Sequence, residues 1–163
     1  MAVGAQRPTI EPLAEAAKQL ASGHELRPVL AAVAAGTAEA LAADLVVVRV
    51  LGDDGALVAR SVVPDASALG AQVAGTRVSP DRLAEGLASE PVLRVAGRAA
   101  AAVLAVPAFA GGRLVGSVEV VRYEPFDDAD RSLAAIAAAQ VGLAVRILTP
   151  GAHEVVSARR LAW

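Results

Sequence analysis

The spacing of the apolar residues changes at one point, and that change limits the folds open to this chain. Between Glu25 and Ala43, Leu26, Val29, Leu30, Val33, Ala34, Thr37, Ala40 and Leu41 recur every three or four residues. That spacing draws a stripe down one face of a helix. Directly after Asp44 comes Leu45-Val46-Val47-Val48-Arg49-Val50-Leu51, short and dominated by β-branched residues. Such side chains lose rotamer freedom in a helix and pack well on a pleated surface, so this run predicts a mostly buried strand. Gly52-Asp53-Asp54-Gly55 is a turn by composition, and Ala56 to Val63 returns as the second arm of a hairpin. A one-faced helix feeding a buried hairpin requires a layered α+β arrangement, because each must bury its face against the other.

The rest of the chain extends this pattern. Residues 1–8 read as a loose leader. A lead-in helix over 9–22 places Leu13, Ala17 and Leu20 at helical spacing, and Ser22-Gly23-His24 breaks it. Pro64 to Val78 is ambiguous, a loop with a short helical piece. Ser79-Pro80 supplies an N-cap and a first-turn proline for a helix running to about Ser89. Short strand character follows at Pro91 to Val95. A longer strand, Ala99 to Phe109, turns at Gly111-Gly112 into Arg113 to Arg122. Past Phe126, Asp127 or Asp128 can cap a final helix whose face comprises Leu133, Ile136, Ala137, Gln140, Val141, Ala144 and Ile147. Thr149-Pro150-Gly151 stops it, leaving 149–163 as a linker or the start of a signalling helix that ends abruptly on Trp163. That ending reads as a fragment of a longer regulator. Hairpins make the sheet antiparallel, with the terminal helices packed together on one of its faces.

Composition excludes several classes of function. Ala and Val supply 40 and 24 of the 163 residues, and 14 Arg stand against a single Lys, a skew expected of a GC-rich genome. With no Cys, disulfide frameworks, Cys-ligated zinc and thiol catalysis fall away. The net charge of −2 offers no basic field for nucleic acid, and four aromatic residues are too few for a stacking platform. The longest uncharged runs, Ala99–Gly112 and Ser132–Val145, are 14 residues each, short of the ~20 that a spanning helix requires. The chain therefore reads as soluble and cytoplasmic, without membrane or nucleic-acid partners. No Ser-His-Asp arrangement, phosphate-cradling loop or metal-ligand cluster stands out, so no catalytic residue, metal or cofactor is expected.

Four stretches resemble the GAF domain, a sensory module of signalling proteins. They are Leu13 to Ala43, with Leu20-Ala21-Ser22-Gly23-His24-Glu25-Leu26; Ala43 to Gly55; the hairpin Val103 to Val120; and Arg122-Tyr123-Glu124-Pro125-Phe126-Asp127-Asp128-Ala129-Asp130 leading into the last helix. The resemblance covers about 13–148 and implies a GAF-like domain over 9–148. It implies a three-layer α/β/α sandwich around a central antiparallel sheet. It also implies a non-catalytic sensor of a bacterial regulator that binds a small molecule, dimerises through its terminal helices, or does both. The alternative is a module whose pocket is filled by Ala and Val and whose role is dimerisation alone. Branches of the family that attach a bilin through Cys or use redox cysteines lack their residues here. The Asn-Lys-x-Phe-Asp-Glu signature of cyclic-nucleotide binders is also missing. His24, at a helix break, and His153, beyond the domain, are poorly placed as haem ligands.

Candidate ligand-binding residues are few. Arg49 interrupts an apolar strand and must find a ligand, an ion-pair partner or solvent. Glu119 shares a strand face with Val115, Ser117 and Val121, where it can meet a ligand, pair with Arg49 across the sheet, or face water. Ser117 lies on the same face. Arg94 and Arg98 flank the segment near which pockets of the family open, and are the more natural contacts for an anion. Phe126 reads as a core anchor before the last helix.

Overall fold

The computed structural model describes residues 9–23, 25–65, 68–84, 94–95, 98–99 and 102–149. In chain order the elements are α1 (Glu11–Ser22), α2 (Leu26–Ala40), β1 (Leu45–Leu51), β2 (Leu57–Val63), α3 (Ala68–Val73), β3 (Arg77–Val78), α4 (Asp81–Ala84), β4 (Arg94–Val95), β5 (Arg98–Ala99), β6 (Ala102–Ala110), β7 (Arg113–Arg122) and α5 (Asp128–Leu148). Five strands form one antiparallel sheet in the order β3-β2-β1-β7-β6, and β4 pairs with β5 in a separate ladder. The expected α+β class and antiparallel sheet are present. The leader, His24 and the tail from Pro150 lie outside the described residues.

The run of valines in β1 follows from burial on both faces. Val46 and Val48 point into the larger core with Val118, Val120, Ala108 and the inner faces of α1, α2 and α5. Leu45 and Val47 point the other way, toward Ala59, Val62, Val121, Val103 and Val73 of α3. A strand covered on both sides shows no polar alternation. The stripe on α2 is buried as expected at Val29, Leu30, Val33, Ala34, Thr37, Ala40 and Leu41. The helix ends at Ala40, short of the expected Ala43. The amide of Ala43 donates to the Ala38 carbonyl and that of Ala42 to Glu39, while Ala42 takes a left-handed φ of 47°. These two bonds close the helix in a Schellman turn that aims the chain into β1.

On α5 the inner face differs from the expected one. Leu133, Ala134, Ala137, Ala138, Val141 and Ala144 are buried, whereas Ile136 and Ile147, expected on that face, are exposed at 37% and 47%. The cause is how closely the helix approaches the sheet. A Cβ on Gly142 would lie 2.2 Å from the Phe109 carbonyl oxygen, at the bulge in β6. Only Gly fits at that point, and Ala134, Ala137, Ala138 and Ala144 occupy much of the face around it, while Ile136 and Ile147 turn outward. By length and hydropathy this 21-residue helix could cross a membrane, yet its Ala-rich face is built into the core.

The N-terminus of α5 is fixed by Arg122 at the end of β7. Its Nη2 donates to Asp130 at 2.5 Å and to the Pro125 carbonyl at 2.8 Å, its Nε to the Glu124 carbonyl at 3.1 Å, and its Nη1 to the Leu41 carbonyl at 2.7 Å. The guanidinium also stacks on Phe126, 4.3 Å from the ring centre. Asp127 caps the helix by accepting from the Asp130 amide, and the Asp127 amide donates to the Asp130 carboxylate, completing a capping box. Burial alone pushes the Asp130 carboxyl up, but the Asp127 amide and the bonds and charge of Arg122 outweigh it and hold it below its ordinary value of 3.8.

Two predictions follow from this packing. Gly142→Ala adds about 1 kcal/mol of intrinsic helix preference but forces a methyl onto backbone that cannot retreat. It should lower the urea midpoint, with a net loss of about 1–3 kcal/mol. Asp130→Asn leaves Arg122 buried without its counter-charge and should destabilise the fold by about 3–5 kcal/mol at pH 7. A lowered folded pKa means that this stabilisation is present above pH 3.8 and is lost as pH falls through the depressed value. The gap between wild type and variant in denaturant titrations should therefore hold from pH 7 down to that range and close below it. A gap constant down to pH 2 would refute the linkage.

Candidate functional site

Three of the five candidate residues, Arg49, Ser117 and Glu119, meet on the face of the sheet opposite α1, α2 and α5. Alternation along β1 puts Leu45, Val47 and Arg49 on that face. On β7, Ser117 lies directly opposite Arg49, Glu119 opposite Val47, and Val121 opposite Leu45. A shift of register between Val48 and Arg49 leaves Arg60 as the extra residue of β2, exposed, while Ala59 faces Arg49.

Arg49 is 5% exposed and its charge is answered within the fold. Its Nε donates to Glu119 Oε1 at 2.8 Å, and its Nη1 donates to the Thr76 carbonyl at 2.9 Å and the Thr76 hydroxyl at 3.1 Å. The Thr76 hydroxyl donates in turn to the Val73 carbonyl at 2.6 Å, and the Thr76 carbonyl also accepts from the Ala59 amide at 2.9 Å. Arg49 thus ties the central strand to the connection between α3 and β3. A buried charge is tolerable only when paired and hydrogen-bonded, and both conditions are met. Of the readings open in the sequence, the ion pair with Glu119 is the one the geometry displays.

Ser117 is different. It is completely buried, and its hydroxyl has no hydrogen-bond partner. Such a group retains its desolvation penalty of about 1–3 kcal/mol until something bonds to it. Among the described residues no base contacts the oxygen, and Glu119 is held by Arg49. Arg94 and Arg98 stand on the paired strands β4 and β5, with Arg94 opposite Ala99 and Val95 opposite Arg98; their side chains lie outside the described residues. Among the described residues no group of three or more His, Asp or Glu is placed to hold a metal ion.

Sequence reasoning missed two participants. Thr76 lies 27 residues from Arg49 in a stretch without a clear pattern, and nothing local marks it as a partner. Arg122 lies in one of the four GAF-like stretches, but its role depends on contacts with Leu41 and Asp130 that no spacing rule exposes.

The sequence pattern of the GAF domain matches residues 25–145. No curated protein sequence matches the chain. Among solved structures, the GAF domain of an Acinetobacter phosphoenolpyruvate-protein phosphotransferase superposes with a TM-score of 0.67 at 15% identity, covering 87% of this chain and 95% of that one. Free methionine-R-sulfoxide reductase from Neisseria meningitidis, in complex with its substrate, gives 0.65 at 19% identity, covering 85% and 88%. The phycoerythrobilin-bound GAF domain of a cyanobacterial phytochrome gives 0.61 at 12% identity, covering 83% and 92%. At these identities the structural likeness speaks for the fold alone, but the sequence pattern spans most of the chain. The chain belongs to the GAF domain family of signalling and sensory modules.

Proposed function

We propose that this domain is a non-catalytic sensor of a bacterial, cytoplasmic regulator, in which a small molecule binds beside Arg49, Ser117 and Glu119 and two copies pair through their terminal helices. The observation that carries the ligand reading is the Ser117 hydroxyl, fully buried beside an ion pair and bonded to nothing. A ligand that bonds to it removes a penalty already present in the free protein, which favours the bound state. The relatives' ligands point the same way only by analogy: a bilin in the phytochrome domain and the substrate in the reductase.

Pairing of copies is supported by the outer surfaces of the helices. On α5 the exposed Ile136, Leu143 and Ile147 follow spacings of seven and four, with Ala135 and Ala139 between and beside them. On α1, Ile10, Ala14, Ala17 and Ala21 form an exposed line of mostly small residues. The two helices touch: Gln140 Nε2 donates to the Leu13 carbonyl at 3.0 Å. Together they present an apolar surface on which two copies can build a four-helix bundle, since small side chains permit close approach.

Two measurements test these halves separately. Ser117→Ala removes the orphan hydroxyl and should raise the melting temperature of the free protein by about 2–6 °C. In a thermal-shift screen of metabolites, a hit should stabilise the wild type and not the variant. A library without any hit, together with a bare mass in native mass spectrometry, would overturn the ligand half. For the dimer, light scattering should give twice the chain mass for the wild type and the single mass for Leu143→Glu. A wild type that stays monomeric at high concentration would overturn it.

A further inference from the structure

The segment that carries α3 and β3, residues 68–78, is held to the sheet differently from the helices on the other face. It is closed on itself: the Ala74 amide donates to the Gly70 carbonyl at 3.0 Å, and the Thr76 amide and hydroxyl both donate to the Val73 carbonyl, at 3.0 and 2.6 Å. Among its described side chains, Val73 is the one packed against the cluster of Leu45, Val47, Ala59, Val62 and Val121. Ala71, Gln72, Ala74, Gly75, Thr76 and Arg77 are exposed. Its other ties to the sheet centre on Thr76. Arg49 Nη1 donates to the Thr76 carbonyl and hydroxyl, the Ala59 amide donates to the same carbonyl, and the Gly75 amide donates to the Ala59 carbonyl at 3.2 Å. Two residue pairs join β3 to β2, and Arg77 makes an exposed ion pair with Asp54, of a kind that contributes little.

We propose that residues 68–78 are a strap that opens from the sheet as one unit, with Arg49 as its latch, while the rest of the sheet and the helix layer stay folded. Two features permit this. Arg49 is answered twice, by Glu119 through Nε and by Thr76 through Nη1. When Nη1 releases Thr76, the ion pair with Glu119 remains, so opening leaves no buried charge alone. With Thr76 as the arginine's sole partner, the same motion would isolate that charge at high cost. Secondly, the strap groups set free, at Gly75 and Thr76, belong to exposed residues, where water takes over their hydrogen bonds. Lifting α5 meets neither condition, because it parts Arg122 from Asp130 and uncovers the buried alanine face. A segment with little apolar burial and solvent-replaceable bonds opens at a fraction of the free energy of global unfolding. The open strap bares Arg49 Nη1 and the Val47–Ala59–Val62 surface. No ligand is needed for this motion, so it stands or falls apart from the ligand reading above.

The test is native-state hydrogen exchange, followed by NMR on the full 15N-labelled chain at pH 7 with and without low urea. The Ala59 and Gly75 amides, bonded across the strap's edge, report its opening; the Val46 and Val47 amides in the central strand report the whole fold. Ala59 and Gly75 should share one opening, about a hundredfold more frequent than that of Val46 and Val47 and nearly insensitive to urea. Thr76→Val keeps the carbonyl but removes the hydroxyl that Arg49 bonds, and should speed exchange at Ala59 and Gly75 about tenfold. Should that variant not fold, the urea comparison on the wild type decides alone. Ala59 and Gly75 exchanging with Val46 and Val47, at one rate and one urea dependence, would overturn the strap. Fast Gly75 beside slow Ala59 would mean a frayed edge instead of a unit and would equally overturn it. Unchanged rates in folded Thr76→Val would remove Arg49 as the latch.

Discussion

The guanidinium of Arg122 is the point on which the architecture converges. From the end of β7 it bonds the last carbonyl region of α2 at Leu41, the connecting turn at Glu124 and Pro125, and Asp130 in the first turn of α5. Without it, the Leu41, Glu124 and Pro125 carbonyls would lose this donor and the Asp130 carboxylate its counter-charge in a partly buried place. The capping box of Asp127 and Asp130 depends on it too, because Asp130 serves both the Asp127 amide and the arginine. The C-terminal helix is therefore held by polar contacts at its start and by apolar packing along its length.

That packing explains a composition that first looks like genome bias alone. Ala and Val dominate because the layers are close. Gly142 lies against the Phe109 backbone, and Ala134, Ala137, Ala138 and Ala144 fill the rest of the helix–sheet seam. Gly116 on β7 faces the same helix, with Val141 3.3 Å from where a Cβ would lie. Interiors pack to nearly crystalline density, so a thin seam selects small residues and leaves the larger aliphatics to the sheet core or the outer surface. Codon bias favours alanine across a genome, but it does not choose which faces of α5 carry it.

Local patterns made most of the fold legible. The hairpins β1–β2 and β6–β7 and the helices α1, α2 and α5 could be read because each rests on period, turn residues or caps within a few positions. The inner face of α5 was misread at Ile136 and Ile147 because its orientation is set by distance to a sheet formed elsewhere in the chain. The site was half legible. That Arg49 and Glu119 share a face follows from strand alternation, and an ion pair was one of the readings this allowed. Thr76 could not be foreseen, since it reaches Arg49 only after α3 and β3 have folded onto the edge of the sheet. The unpaired state of Ser117 could not be foreseen either, because a missing hydrogen bond is a property of surroundings and leaves no trace in spacing.

The strand β7 joins the two halves of the proposed function. Ser117 and Glu119 face the site, while Gly116, Val118 and Val120 face the helices, one residue away on the same backbone. At Gly116 the side toward α5 is already in contact, with Val141 at 3.3 Å from where a Cβ would lie. The strand then ends in Arg122, which holds the start of α5. A small displacement of β7 at Ser117 thus has two routes to that helix, through the Gly116–Val141 contact and through the Arg122–Asp130 pair. A close-packed seam cannot absorb such a displacement by compression, so the helix must move with the strand. On the proposed reading, a ligand that bonds Ser117 acts on the surface where two copies meet. It does so through the least compliant part of the fold.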